Sequence, residues 1–183
     1  GVLFRSFFLL ISLALGTVTA YMPTLLPKVQ AVGLEFAASF TTNYFLASAA
    51  GALAGGWVAD KARRFDLIVA AGLALTGLLL FAVGFAPMGS APLMLTGLAA
   101  GFFSGVILPS RDMLVRGAAP AGATGKVFGF VYSGLDLSGV VAPLVVGPMI
   151  DAGFYRLPFV FIAASLVITI VSALAVRASS APK

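Results

Sequence analysis

The sequence of 183 residues contains no cysteine and no histidine. These absences exclude disulfide bonds, thiol nucleophiles, zinc sites built from His and Cys, and haem held through either side chain. A glycine-rich nucleotide-binding loop is also missing, and Asp136 is the one acidic residue placed far inside an apolar segment. We therefore expect no enzymatic activity, no metal and no cofactor.

Charged residues are scarce: they make up 9% of the chain, against 61% hydrophobic residues. Water-soluble domains carry roughly 25% charged residues, so a soluble fold of this length is not expected. The net charge of +5 is not gathered into a patch, because the basic residues lie at the ends of apolar runs. This distribution is typical of membrane topology signals, and it predicts a lipid bilayer rather than nucleic acid as the partner.

What the sequence has in quantity is long apolar runs. Two of them, 36–59 and 67–86, are separated by a short charged loop. About 20 apolar residues are enough to cross a bilayer as a helix. The whole chain, 1–183, is thus predicted to be an all-α, polytopic membrane protein with six transmembrane helices in a single bundle. The predicted spans are 4–26, 34–59, 67–86, 92–115, 124–150 and 157–176.

Basic residues predict the orientation of this bundle. Short connections make neighbouring helices antiparallel, so both termini lie on one side. The loops and termini of that side carry eight basic residues, Arg5, Lys61, Arg63, Arg64, Arg116, Lys126, Arg177 and Lys183. The opposite side carries only Lys28 and Arg156. Because Lys and Arg in short loops favour the cytoplasmic side, both termini are predicted to be cytoplasmic.

Glycines recur at intervals of four residues on three of the predicted helices. They are Gly51 and Gly55 on the second, Gly97, Gly101 and Gly105 on the fourth, and Gly125 and Gly129 on the fifth. Small residues at this spacing let membrane helices approach closely. We expect these glycines to pack helix against helix rather than to bind a substrate.

The charged loop resembles the signature loop of the major facilitator superfamily of transporters. The matching residues are Gly56, Asp60, Lys61 and the pair Arg63 and Arg64. A second stretch, 109–153, is similar to the fourth to sixth helices of a carboxy-terminal half from bacterial members of this family. The resemblance covers nearly the whole chain. It implies a six-helix half, built as a 3+3 inverted repeat, in a bacterial inner membrane.

The resemblance also implies a function. The chain is expected to be half of a secondary active transporter that moves a small organic solute by alternating access, with proton coupling as an open alternative. Because a complete transporter has two such bundles, the expected partner is a missing amino-terminal half or a second copy of the chain. A small oligomeric channel of six-helix subunits is the competing hypothesis, and it would require a pore lined by rings of polar residues.

A cytoplasmic gate is implied at the charged loop. Its candidate residues are Gly56, Asp60, Lys61, Arg63, Arg64, Arg111, Asp112 and Arg116. The resemblance implies that Asp60 latches the cytoplasmic side closed; the alternative is a solvated loop charge. Arg111 and Asp112 either belong to a charge network that reaches this loop, or Arg111 extends along its flexible stem to the membrane surface.

Asp136 is predicted to lie near the middle of the bilayer, about 16 Å into the fifth span. A carboxylate at this depth marks a proton or substrate site, or else makes a structural hydrogen bond to Tyr132, Ser133 or a neighbouring helix. Tyr132 and Ser133 are themselves candidates for this proton or substrate site, and further polar candidates are Thr17, Tyr21, Asn43 and Tyr44. A threonine at such a position more often bonds the backbone of its own helix than a ligand.

Overall fold

A computed structural model describes residues 2–180 of the protein. This part of the chain is all-helical and holds no β-strand, which confirms the predicted fold class. The helices are α1 (Val2–Gln30), α2 (Leu34–Lys61), α3 (Phe65–Phe85), α4 (Ser90–Ala118), α5 (Thr124–Asp151) and α6 (Leu157–Ser180). Lys183, counted above among the basic residues of the predicted cytoplasmic side, lies outside the described residues.

Among the described helices, five are long and apolar enough to cross a membrane, and α2 is the exception. With 28 residues α2 is as long as α5, or about 42 Å. Its hydropathy is lowered by the polar residues Ser39, Thr41, Thr42 and Asn43. Helices of this length and composition make the chain an integral membrane protein.

The first helix continues beyond its predicted span, which ended at residue 26 before Pro27. Proline removes one backbone hydrogen bond, but so close to a helix end few later turns depend on that bond. The extra turn is held from outside by Gln30. Its Nε2 donates to the carbonyl oxygens of Val83 and Ala86, both at 2.7 Å, and its Oε1 accepts from the N–H of Met88 at 3.2 Å. The end of α1 is therefore fixed to the end of α3.

Helices α1, α6, α3, α4 and α2 form a ring in which each helix contacts the next and α2 contacts α1 again, while α5 packs mainly on α1. Large side chains that are fully buried fill the interior, among them Phe8 of α1, Phe40 of α2 and Phe159 of α6. Helices α4 and α5 touch each other at few points. A seam that is not closed by packing therefore lies between α4 and α5.

Glycines let α2 and α4 approach closely. A Cβ added at Gly55 would overlap the backbone of Val106 on α4, and one added at Gly101 would overlap the carbonyl group of Tyr44 on α2. Because backbone cannot move aside as a flexible side chain can, these positions accept only glycine without a shift of the helices. The packing role predicted for the glycines of α2 and α4 is confirmed.

The same prediction was wrong for the fifth helix. A Cβ added at Gly125 or Gly129 would meet no atom within 4 Å. Helix α5 packs mainly on α1, and its close approach is made by Gly134, where an added Cβ would lie 3.2 Å from the backbone nitrogen of Leu9. The periodicity of small residues was read correctly, but it does not reveal which face of a helix has a neighbour.

Candidate functional site

A cavity of about 300 Å³ opens along the seam between α1, α4 and α5. Its lining residues are Ile11, Ser12, Leu15, Gly16, Thr19, Arg111, Leu135 and Ser138. The cavity exists because α4 and α5 do not close against each other. It is broad and open rather than enclosed, so a solute could enter it from the uncovered side of the bundle.

Arg111 is the one charged residue of this lining, and its side chain is anchored from three sides. It is 9% exposed. Its guanidinium carbon lies 4.8 Å from the centre of the Phe8 ring, a cation–π contact. Its Nη2 lies 3.0 Å from Oδ1 of Asp112 and 3.4 Å from the hydroxyl of Tyr132. The hydroxyl of Tyr132 in turn donates to the same Asp112 oxygen at 3.1 Å.

This cluster of Arg111, Asp112, Tyr132 and Phe8 differs from both earlier interpretations of the charged pair. Arg111 is buried, so it does not extend to the membrane surface. In the described part of the chain, the polar contacts of Arg111 and Asp112 run to each other and to Tyr132 rather than to the loop of Asp60. The cluster links α4, α5 and α1 across the seam instead.

Serine and threonine hydroxyls supply the rest of the cavity's polarity. Ser12 Oγ is buried and has no hydrogen-bond partner among the described residues. Ser138 Oγ donates to the carbonyl of Leu135 at 2.6 Å, and Thr19 Oγ1 donates to that of Gly16 at 3.1 Å. Both hydroxyl oxygens can still accept a hydrogen bond. These residues were missed in the sequence, although Ser12, Gly16 and Thr19 follow a helical spacing of four and three residues.

The polar candidates on the first two helices lie elsewhere. Thr17 is buried and donates to the carbonyl of Leu13 at 2.6 Å, the local bond expected of a threonine in a helix. Asn43 Nδ2 donates to the carbonyl of Ser39 at 2.9 Å. Tyr44 is buried, and Tyr21 is half-buried. The lining of the cavity includes none of these four side chains.

Asp136 lies near the middle of α5, on the face that α1 does not cover. Its exposed neighbours Leu137 and Val140 share this face. The hydrogen bonds anticipated from Tyr132 and Ser133 go elsewhere, because Tyr132 bonds Asp112 and Ser133 Oγ donates to the carbonyl of Phe130 at 2.6 Å. That structural explanation for Asp136 was therefore wrong as far as these two residues are concerned.

The charged loop lies at the end of the bundle where α2 ends and α3 begins. Asp60 is exposed. Lys61 Nζ lies 3.8 Å from the centre of the Trp57 ring, and Arg64 Nη2 lies 3.1 Å from Oδ2 of the buried Asp66. Both cations have contacts other than Asp60. Around the loop, Gly56 faces open space and Arg63 is exposed.

Arg116, the last of the gate candidates, is exposed near the end of α4. It lies one to two turns beyond Arg111 on the same helix. The two arginines thus differ in environment, since one is buried in the seam and the other faces outwards.

Comparison with known proteins defines the class. The family model of the Major Facilitator Superfamily matches residues 4–183, which is nearly the entire chain. The protein therefore belongs to the Major Facilitator Superfamily, as the charged loop and the helix pattern predicted.

Among individual proteins, the chain is similar to a probable nitrate/nitrite transporter, NarK2, of Mycobacterium tuberculosis, in strains CDC 1551 and H37Rv. In each case it is 29% identical over 131 residues, which is 72% of this chain and 33% of the relative. The match thus spans about a third of the length of these curated relatives.

Proposed function

We propose that this chain is one six-helix half of a secondary active transporter that moves a small solute by alternating access. The observation that carries the proposal is the cavity along the α4–α5 seam, because it is lined by a buried arginine and is open to one side of the bundle. In a complete transporter of two bundles, the substrate path runs between the halves. The helix surfaces on either side of the α4–α5 seam would form the wall that this half contributes to the substrate path.

A missing half is favoured over a second copy as the covering partner. The relatives are about three times as long as the matched stretch, since that stretch covers 33% of their length. A chain of that length has room for two bundles. The exposed mid-helix Asp136 supports the presence of some partner, because a charged carboxylate facing lipid would cost about 2.5–3.5 kcal/mol.

The chemistry of the cavity favours a solute with a negative charge. Arg111 can donate to an anion through N–H groups that Asp112 and Tyr132 do not occupy. The buried hydroxyl of Ser12 adds a donor without a competing partner among the described residues. The relative's name specifies nitrate and nitrite, which are small anions of this kind. A small organic anion fits the same donors.

Proton coupling and a cytoplasmic latch are the two mechanistic parts of the proposal. Asp136 would bind and release a proton as the face of α5 that carries it becomes accessible first from one side of the membrane and then from the other. Access to water changes how strongly a carboxyl group holds a proton. Asp60 would latch the charged loop to the partner half in one state. Asp60 is exposed, and the neighbouring cations Lys61 and Arg64 contact other groups. Asp60 is therefore available to a residue of the partner half.

The test is uptake by the complete transporter in proteoliposomes, with labelled nitrate and nitrite as probes. Arg111→Gln should weaken uptake about tenfold to a hundredfold, the effect of losing one hydrogen bond to a charged group. Arg5→Gln is the matched control and should retain most of the activity, because Arg5 is exposed and does not line the cavity.

A second variant tests the cavity in case Arg111→Gln does not fold. Ser12→Ala removes one hydroxyl from the cavity and should raise KM without changing the elution volume of the purified protein. Equal uptake by Arg111→Gln and Arg5→Gln, with Ser12→Ala unchanged, would overturn the assignment of this cavity to the substrate.

A further inference from the structure

A second cavity, of about 500 Å³, lies at the far end of the bundle, where α1 and α3 end and α6 begins. It is lined by Lys28, Val29, Phe85, Gly153, Phe154, Tyr155, Arg156, Leu157 and Val160. Aromatic and aliphatic side chains make most of its wall. Its two cations, Lys28 and Arg156, are the two basic residues that the sequence assigns to this side of the membrane.

Contacts hold both cations at the cavity. Arg156 Nη1 donates to the carbonyl of Gly84 at 2.8 Å, and its guanidinium lies 5.9 Å from the centre of the Phe85 ring. Lys28 Nζ lies 5.5 Å from the centre of the Tyr155 ring. Guanidinium has five N–H donors and ammonium three, so both groups keep donors for a ligand. The N-terminus of α6, at Leu157, adds a partial positive charge.

Acidic residues do not neutralise this cavity. The two carboxylates at this end of the described chain, Glu35 and Asp151, are absent from its lining. Both are exposed. The cavity therefore combines positive charge with apolar walls, which suits an anion that has an apolar part.

An apolar groove of about 380 Å³ lies between α3 and α6, about one helical turn from the residues of this cavity on each of the two helices. Its lining residues are Leu73, Ala74, Gly77, Leu78, Phe81, Ala163, Leu166, Val167 and Ile170, none of them charged. Phe81 of the groove stacks on Phe85 of the cavity at 4.5 Å, one helical turn away. Leu78 is 70% exposed and Val167 is 58% exposed, so the groove opens on the outer surface of the bundle.

We propose that the cationic cavity and the apolar groove together bind one anionic phospholipid. Its phosphate lies between Lys28 and Arg156, and an acyl chain follows the groove along α3 and α6. The cavity alone would also accept a free organic phosphate. The uncharged groove, however, can be filled only by a ligand that carries a long apolar chain. The site is independent of the α4–α5 seam and of the transported solute.

Native mass spectrometry of the complete protein in detergent tests this proposal with three probes: dioleoyl phosphatidylglycerol, dioleoyl phosphatidylcholine and glycerol 3-phosphate. Phosphatidylglycerol should be retained more strongly than phosphatidylcholine, whose headgroup has no net charge. Lys28→Gln should lower the affinity for phosphatidylglycerol about fivefold, the effect of one basic residue near anionic lipid. Lys126→Gln, the same change at an exposed position near the other end of the bundle, is the control and should have no effect.

The groove is tested by Gly77→Leu, whose side chain would extend towards Leu166 and fill it. This variant should lose phosphatidylglycerol and leave any binding of glycerol 3-phosphate unchanged. Lys28→Gln keeps the test decisive if Gly77→Leu does not fold. Equal retention of the two lipids, an unchanged affinity in Lys28→Gln, or glycerol 3-phosphate binding as tightly as the lipid would each overturn the proposal.

Discussion

Tyr132 of α5 donates a hydrogen bond to Asp112 of α4, with 3.1 Å between the phenol oxygen and Oδ1. The two helices touch each other at few other points. The same carboxylate oxygen holds the guanidinium of Arg111 at 3.0 Å, so it serves two partners at once. One acidic side chain therefore both neutralises a buried arginine and connects two helices that otherwise leave a seam between them.

Removing the charge of Asp112 should destabilise the fold. Asp112→Asn leaves the buried Arg111 without its anion, and we expect the free energy of unfolding to fall by about 1.5–3 kcal/mol. Asp60→Asn is the control, since Asp60 is exposed, and it should change stability little. Thermal unfolding in detergent measures both variants. Equal stability of the two would show that the Arg111–Asp112 pair contributes nothing.

Adding one methyl group between α2 and α4 should also destabilise the fold. In Gly101→Ala the new Cβ overlaps the carbonyl group of Tyr44, and overpacking of this kind costs about 1–3 kcal/mol. Gly125→Ala is the matched change on α5, where the space is open, and should be neutral or slightly stabilising because alanine favours helix. A melting temperature that falls equally in both variants would contradict the close α2–α4 packing.

Asp136→Asn should uncouple transport from protons. The asparagine keeps the size of the side chain but cannot take up or release a proton. We expect accumulation driven by a pH gradient to disappear while exchange of labelled for unlabelled solute continues. Asp151→Asn, an exposed carboxylate at the end of the same helix, should behave as the unaltered protein. Undiminished pH-driven accumulation in Asp136→Asn would remove this residue from the coupling.

Asp60→Ala should shift the balance between the two access states. The chain has no cysteine, so a single Gly125→Cys reporter can be labelled without background from the chain itself. A side chain at position 125 points into open space in the structure and should become protected when a partner closes over that face. We expect Asp60→Ala to raise the labelling rate and Glu35→Ala, at the other end of α2, to leave it unchanged. Identical rates in both would contradict the latch.

The features of the fold that the lipid bilayer requires could be predicted from the sequence. Long apolar runs form helices in a bilayer, because no water is present there to satisfy the hydrogen bonds of the backbone. Helix α2 begins at residue 34, as predicted, and ends at Lys61, two residues beyond its predicted span and inside the charged segment. The end of α1 was not foreseen, since Pro27 suggests a stop while the bonds of Gln30 to residues more than fifty positions away sustain another turn.

The candidate site was only partly visible in the sequence. Arg111, Asp112 and Tyr132 were each singled out, but as members of two separate groups, a gate and a proton site. Sequence distance concealed their contact, because 20 residues and a loop separate Asp112 from Tyr132. Ser12 was missed because a lone serine in an apolar run is expected to donate a hydrogen bond to the backbone of its own helix. The structure reveals that the hydroxyl of Ser12 has no hydrogen-bond partner among the described residues.

Position 30 has a chemical requirement that follows from its three bonds. The side chain there must give two hydrogens to carbonyl oxygens at the end of another helix and take one from a backbone amide. Glutamate would repel both carbonyls, lysine has no acceptor for the N–H of Met88, and asparagine is shorter by one methylene group. Of these side chains only glutamine is long enough and carries both a hydrogen-bond donor and an acceptor. A single side-chain amide therefore determines where the ends of the first and third helices meet.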